Sequence, residues 1–299
     1  MLRFYAGLID GSCAIRPSVA RHFPERLAEI DSVIRGAAQL LVKLQQPAGH
    51  FPFPDLRGKN IRFGEMAEKF DATNPGQIKD GWIIGIDPTG GSQFDTGECG
   101  MALLDAARVL NRPEWNAAAL KAADWAIAQP LVPNWNYNAF SVSLLSRAYK
   151  ASGDRRYLTN ALLKAKLGVL PGQAPNGRWI DPHNARTAYH FILLRGLNDL
   201  RDVLRDEPAA RAELDSAANR AVAAMITEFE ALGVTNTSLA LRELSRHQAL
   251  SGDASIALVS SIDQARAVVW FKCRRGYEAR FGAAGSELAA CVAGEVPHR

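Results

Sequence analysis

Three side chains past the middle of the chain have types and spacing suited to moving a proton beside a negative charge: Arg186, Tyr189 and His190. On a helix starting near Arg186, the tyrosine follows at i+3 and the histidine at i+4, which sets all three on one face of the first turn. Free N–H groups and the helix dipole favour an anion there. A phenol whose pKa is lowered by Arg or protonated His can act as base or acid. The expected chemistry is proton abstraction by Tyr189 or His190 while Arg186 neutralises a carboxylate. The bland alternative is that Tyr189 and His190 are packing residues with satisfied polar tips.

Carboxylates offer a rival chemistry. Asp95 and Asp181, with Asp87 or Asp55 as partners, have the types needed for general acid and base in glycoside hydrolysis, where the separation of the two groups decides the outcome. Each also has a structural reading: Asp95-Thr96 as a helix N-cap, Asp181-Pro182 as the start of a turn. His183 and His190 are seven apart with no third ligand near, so no metal is expected. Gly90-Gly91-Ser92 lacks the lysine of a phosphate loop, and no cofactor is implied. Around these groups lie His50, Trp82, Trp135, Tyr137, Arg178, Trp179 and His183. Indole faces stack on the apolar side of a sugar ring, amides and charged groups take its hydroxyls, and Arg or His suits a uronate carboxylate. These seven are the expected substrate-binding residues.

The elements that must position them are helices. A first helix is expected over Pro24–Leu44. A long irregular segment follows to about Phe94, and its many aromatics argue against disorder. Then helices come in pairs. Met101–Leu110 precedes Trp115–Ala128, and Phe140–Ala151 precedes Tyr157–Leu170. Thr187–Leu204 precedes Ala209–Phe229. Thr237–Leu250 precedes a last helical region reaching towards Arg280. The first helices of the pairs carry related cores offset by about 41 to 49 residues, the length of one helical hairpin. Turns within pairs are tight, with Gly, Asp or Pro; connections between pairs are longer and carry the aromatics. A motif occurs twice in such connections, as Gln45-Gln46-Pro47-Ala48-Gly49-His50-Phe51 and Gln173-Ala174-Pro175-Asn176-Gly177-Arg178-Trp179. The loops bearing it are expected to line a central cleft. Residues 1–23 are read as an N-terminal extension, 24–280 as one domain and 281–299 as a tail.

With 47% hydrophobic and 22% charged residues in 299, the composition is that of a globular protein with ample core. A formal charge of +4 is too small to imply nucleic acid and fits an anionic small partner or none in particular. No stretch is long and apolar enough to span a membrane. Cys13, Cys99, Cys273 and Cys291 are scattered and form no paired motif, so they read as reduced thiols. With no convincing signal peptide, the cytoplasm is expected, or the periplasm if a leader is missing.

The repeated Gln-x-x-x-Gly-x-aromatic element, the paired helices and the aromatic loops resemble the α/α-toroid proteins. In the carbohydrate-active branch are polysaccharide lyases, uronyl hydrolases and uronate epimerases. Asn184-Ala185-Arg186-Thr187-Ala188-Tyr189-His190 is similar to the Arg-x-x-Tyr-His element of uronate epimerase-like proteins, and Asp95-Thr96-Gly97 to a helix opening of six-hairpin glycosidases. The motif also resembles the repeat of terpenoid cyclases, but their Asp-rich acid motif is lacking here. The resemblance implies an all-α fold, an α/α toroid of antiparallel helical hairpins, open or incomplete because only four to five hairpins are countable. It implies a lyase or epimerase acting on a uronate-bearing carbohydrate. The rivals are a hydrolase using paired carboxylates, a non-catalytic glycan- or protein-binding scaffold, and a terpenoid cyclase-like protein.

Overall fold

The helix-periodic runs become helices whose ends are set by local chemistry. In a computed structural model that describes residues 2–179, 187–232, 237–255, 257–264 and 266, the order is α1 Leu2–His22, α2 Leu27–Leu44, β1 Phe53–Pro54, α3 Ile61–Thr73, β2 Ile78–Lys79 and β3 Trp82–Ile83. There follow α4 Gly91–Leu110, α5 Pro113–Ala128, α6 Trp135–Ser152, α7 Arg155–Gly168, α8 Thr187–Val203, α9 Pro208–Leu232 and α10 Thr237–Ser251. Asn134 and Asp154 cap α6 and α7 by accepting from Asn136 N and Arg156 N, and Pro113 opens α5 where a missing N–H costs nothing. Among the described residues the fold is helical apart from one small antiparallel sheet of order β1-β3-β2, with Phe53 opposite Ile83 and Ile78 opposite the same residue.

Two rows of helices are visible. In the central row α1 packs on α4, α4 on α6, α6 on α8 and α8 on α10. Behind it four of the central helices carry a hairpin partner: α2 on α1, α5 on α4, α7 on α6 and α9 on α8. The core runs through both rows, from Leu2, Ile9 and Ile34 through Leu103, Phe140 and Leu144 to Leu193, Leu197 and Leu244. Among the described residues no helix is long and apolar enough to cross a membrane.

Several expectations change. Residues 2–22, read as an extension, are a full helix whose Leu2, Ala6 and Ile9 are buried in the core. Gly7, Gly11 and Pro17 hide it, since each lowers helix propensity; its tertiary contacts override them. The expected first helix is the second, preceded by a 3-10 turn at Pro24–Arg26. The irregular segment holds α3 and the sheet. Helix α4 starts at Gly91, ten residues before Met101, so Asp95 lies inside the helix and Gly90 is its cap. The expected last helical region is helical over residues 257–264, with Leu258 and Ile262 in the core; its continuation towards Arg280 and the tail lie outside the described residues.

The repeated motif does not line a cleft. It straps the end of one outer helix to the next outer helix. Gln45 Nε2 donates to the Gly49 carbonyl at 2.9 Å and to the Ala118 carbonyl of α5 at 2.8 Å. Gln173 Nε2 donates to the Gly177 carbonyl at 3.2 Å and to the Ala217 carbonyl of α9 at 2.9 Å. Both amide hydrogens are thereby used. Gly49 and Gly177 adopt φ of +107° and +83°, and a Cβ on either would run into the carbonyl oxygen of Lys121 or Arg220. Those carbonyls lie three residues past Ala118 and Ala217, so the two straps grip their helices alike. Phe51 and Trp179, the motif aromatics, are buried in the core.

Gly177→Ala should destabilise by about 1–3 kcal/mol from backbone strain alone, with a further cost from the carbonyl contact. Gly153→Ala, where φ is +73° but nothing lies within 4 Å, should cost less. Gln173→Leu should cost about 1–3 kcal/mol through two unpaired carbonyls. Urea midpoints measure all three; equal costs at Gly177 and Gly153 would show that the strap does not grip α9.

Candidate functional site

A cavity of about 1000 Å³ is lined by residues of all five central helices. From α1 come Asp10 and Cys13, from α4 Asp105 and Arg108, and from α6 Arg147 and Lys150. Asp199 and Asp202 come from α8, and Arg242 and Arg246 from α10. Arg112 and Asn116 at the α4–α5 corner join them. Those on α4, α6 and α8 lie towards the C-terminal ends of these helices, so the cavity belongs to the end of the short turns, opposite the long aromatic loops.

Its wall is a continuous ion-pair belt. Arg147 donates to Asp105 at 3.0 Å and to Asp199 at 3.2 Å. Arg246 donates to Asp199 at 2.7 Å and to Glu243 at 3.1 Å. Arg242 bonds Asp10 at 2.5 Å, which ties α10 back to α1. Burial alone would push the Asp199 carboxyl up, but Arg147, Arg246 and Arg195 outweigh it and hold it at about 2. Asp202, also resisting burial, is held below the usual range by Lys150 and Arg205. Burial pushes the Cys13 thiol up to about 12, so it stays protonated and unreactive. Nearer the mouth, Lys150 pairs with Asp202 at 2.6 Å and Arg108 with Asp105 at 3.3 Å, and both keep most of their side chains in solvent. The lining has six cationic side chains and four carboxylates, a net excess of two positive charges.

At the other end of the central row lies a second cluster. Arg3 of α1 makes a two-pronged pair with Asp95 of α4, at 2.5 and 2.9 Å, and lies over the Phe94 ring at 3.7 Å. Phe94 stacks on Phe140 at 4.2 Å, and Arg195 of α8 lies over the Phe140 ring at 5.0 Å. Arg195 then reaches Glu98 of α4 at 2.7 Å. Burial raises the Asp95 pKa despite Arg3. Tyr137 stacks on Phe94. Burial raises its phenol pKa, with smaller electrostatic effects from Arg3, Asp87, Asp95 and Tyr189.

The expected site residues scatter. Asp95, Tyr137 and Tyr189 gather at this second cluster. Trp82, in β3, packs half-buried against the core. Trp135 sits over Gly172, whose Cβ would meet its ring. His190 faces another way from the cluster: it is 1% exposed, edge-on to Trp179 at 5.7 Å, with Glu228 of α9 at 3.8 Å. Burial and then Arg178 push its pKa down to about 3. Trp179 is buried and donates Nε1 to the Val169 carbonyl at 2.8 Å, which leaves no open indole face for a sugar. Arg178 is ion-paired with Glu228. His50 is buried too, contacts the Ile84 carbonyl through Nε2 at 2.8 Å, and burial lowers its pKa. Asp181, His183 and Arg186 lie outside the described residues. Asp87 ties down its own loop through Thr89 and Gly91 N, and Asp55 pairs with Arg57.

Sequence reasoning missed the whole cavity lining. One signal was present: Asp105 and Arg147, both in the lining, sit in the related cores of the central helices, within otherwise apolar runs. A charge in such a run is either paired or faces water inside. Among the described residues no group of three His, Cys, Asp or Glu is placed to hold a metal ion. No protein-family model, no curated protein and no solved structure matches the chain.

Two acid transitions should separate. The Asp199 pairs contribute stability that is full above about pH 4, where an unfolded aspartate titrates, and is lost as pH falls towards about 2. His190, neutral when folded, contributes stability that is full above about pH 6.5 and is lost as pH falls towards about 3. Asp199→Asn should cost about 3–5 kcal/mol at neutral pH by leaving Arg147 and Arg246 under-compensated, and should flatten the lower window only. His190→Gln should flatten the upper one. Denaturant titrations across pH read both; unchanged slopes in either variant would remove the corresponding group from the account.

Proposed function

We propose that the five central helices close into a small α/α toroid whose lumen binds an acid-bearing carbohydrate, as a binding protein. The observation that carries this reading is the cavity itself: about 1000 Å³, reached by all five central helices, with a charged belt and a cationic mouth. That volume is at the upper end of small-ligand sites, about 300–1,000 Å³, and leaves room for more than one sugar ring. Guanidinium donors alternating with carboxylate acceptors suit adjacent sugar hydroxyls, each of which both donates and accepts. The excess of positive charge at Arg108, Arg112 and Lys150 suits a uronate carboxylate. The lining contains no aromatic side chain, so affinity rests on polar contacts and not on stacking. The same feature disfavours a terpenoid pocket, which would be apolar.

Binding is favoured over turnover because the groups of the cavity are committed. Asp10, Asp105, Asp199 and Asp202 are each in an ion pair. Asp199 and Asp202 are held ionised and Cys13 protonated. A general acid and base need pKa values near the working pH.

A second reading, lyase or epimerase action on a uronate, draws on the gathering of Tyr137, Tyr189, Asp95 and Arg3 at the opposite end. It excludes His190, which is buried against Trp179. Under it, Tyr189→Phe abolishes any new ultraviolet absorbance from an unsaturated uronate product. Wild-type protein that gives neither that absorbance nor new reducing ends on uronate polysaccharides would leave the binding reading alone.

Calorimetry with oligogalacturonates tests the first reading. Lys150→Glu and Arg108→Glu, both at solvent-exposed side chains, should each weaken binding by about tenfold, or 1.4 kcal/mol, and should reduce its salt dependence. Neutral oligosaccharides should bind more weakly than acidic ones. Equal affinity of wild type and both variants would place the ligand elsewhere.

A further inference from the structure

We infer that the cavity is blind and that its ligand is recognised by a chain end, entering and leaving through one mouth. This rests on the binding reading above. The floor is the stack Arg3–Phe94–Phe140–Arg195, contributed in turn by α1, α4, α6 and α8. The ion pair Arg195–Glu98 joins α8 to α4, although α6 stands between these helices in the central row. That bond therefore crosses the space the central helices enclose. Phe140 is fully buried, and Asp95 and Arg195 nearly so. The described lining of the cavity stops short of the stack on every helix that contributes to it: at Asp10 on α1, Leu104 on α4, Ser146 on α6 and Asp199 on α8. On α8 the gap from Asp199 to Arg195 is a single turn.

The floor is not a loose gate. Each guanidinium in it has an aromatic face on one side and a carboxylate on another, so moving either would strand a buried charge. A polymer cannot thread such a pocket. Its interior residues would have to bend through the mouth and back, whereas a terminal sugar enters with its hydroxyls facing the belt and leaves the next carboxylate at Arg108, Arg112 or Lys150.

The test uses the full chain and oligogalacturonate hexamers: unmodified, bearing a bulky fluorophore on the reducing end, or bearing one on the non-reducing end, together with polygalacturonate of several lengths. The expected result is that one tag lowers affinity on the order of a hundredfold and the other is tolerated. Stoichiometry should stay at one protein per polymer chain whatever its length. Tolerance of both tags, or stoichiometry rising with chain length, overturns end recognition while leaving lumen binding in place if Lys150→Glu still weakens it. Binding to none of these probes overturns the binding reading, and this inference with it.

Discussion

The arrangement of the central helices depends on the pairing of Asp199 with Arg147 and Arg246. This aspartate stands on α8 and takes one guanidinium from α6 and one from α10. The same arginines continue outward, Arg147 to Asp105 on α4 and Arg246 to Glu243 on α10, while Arg242 carries the link on to Asp10 of α1. Desolvating so many charges is costly, and an isolated buried pair seldom gains much over an apolar one. Here Asp105, Asp199 and Glu243 each serve two cations. The consequence is that removing any one of these groups leaves its partners under-compensated.

Around that centre the outer helices share the apolar core and are further fastened through backbone carbonyls. The Gln45 and Gln173 amides each bridge a tight turn and a carbonyl of the next outer helix. Between α7 and the end of α5 the same task falls to a buried lysine, Lys164, whose Nζ donates to the Gln129 carbonyl at 2.6 Å. Burial lowers its pKa to about 8, in keeping with a carbonyl partner that brings no counter-charge. Local motifs thus recur where hairpins meet, while long-range charge pairs set the middle.

The two ends of the central row differ in physical character. One is polar, charged and open; the other is a packed stack of arginine and phenylalanine beneath the longer loops. Helix C-termini carry partial negative charge, and the cations at the mouth of the cavity offset it. The Arg3–Asp95 pair lies towards the N-terminal ends of α1 and α4, and the Arg195–Glu98 pair joins α8 to α4 further along both helices.

Much of the helical content was legible in the chain. Periodicity and the Gly, Asp or Pro of the tight turns placed eight helices to within a few residues, except at the starts of α4 and α6. These are local effects, carried by side chains a turn apart. The repeat of Gln45 and Gln173 was legible as a repeat, but its purpose was not, since the carbonyls it binds are 73 and 44 residues away. Helix α1 was hidden because its glycines and proline argue against a helix until α4 and α2 bury its apolar side. The trio of Tyr189, His190 and Arg186 shared a face on paper. Consecutive residues on a helix point about 100° apart, and only packing decides that His190 turns to α9 while Tyr189 lies nearer Tyr137. The cavity was invisible for the same reason: its charges come one or two from each of five helices, and no spacing along a sequence records which faces of separate helices will meet.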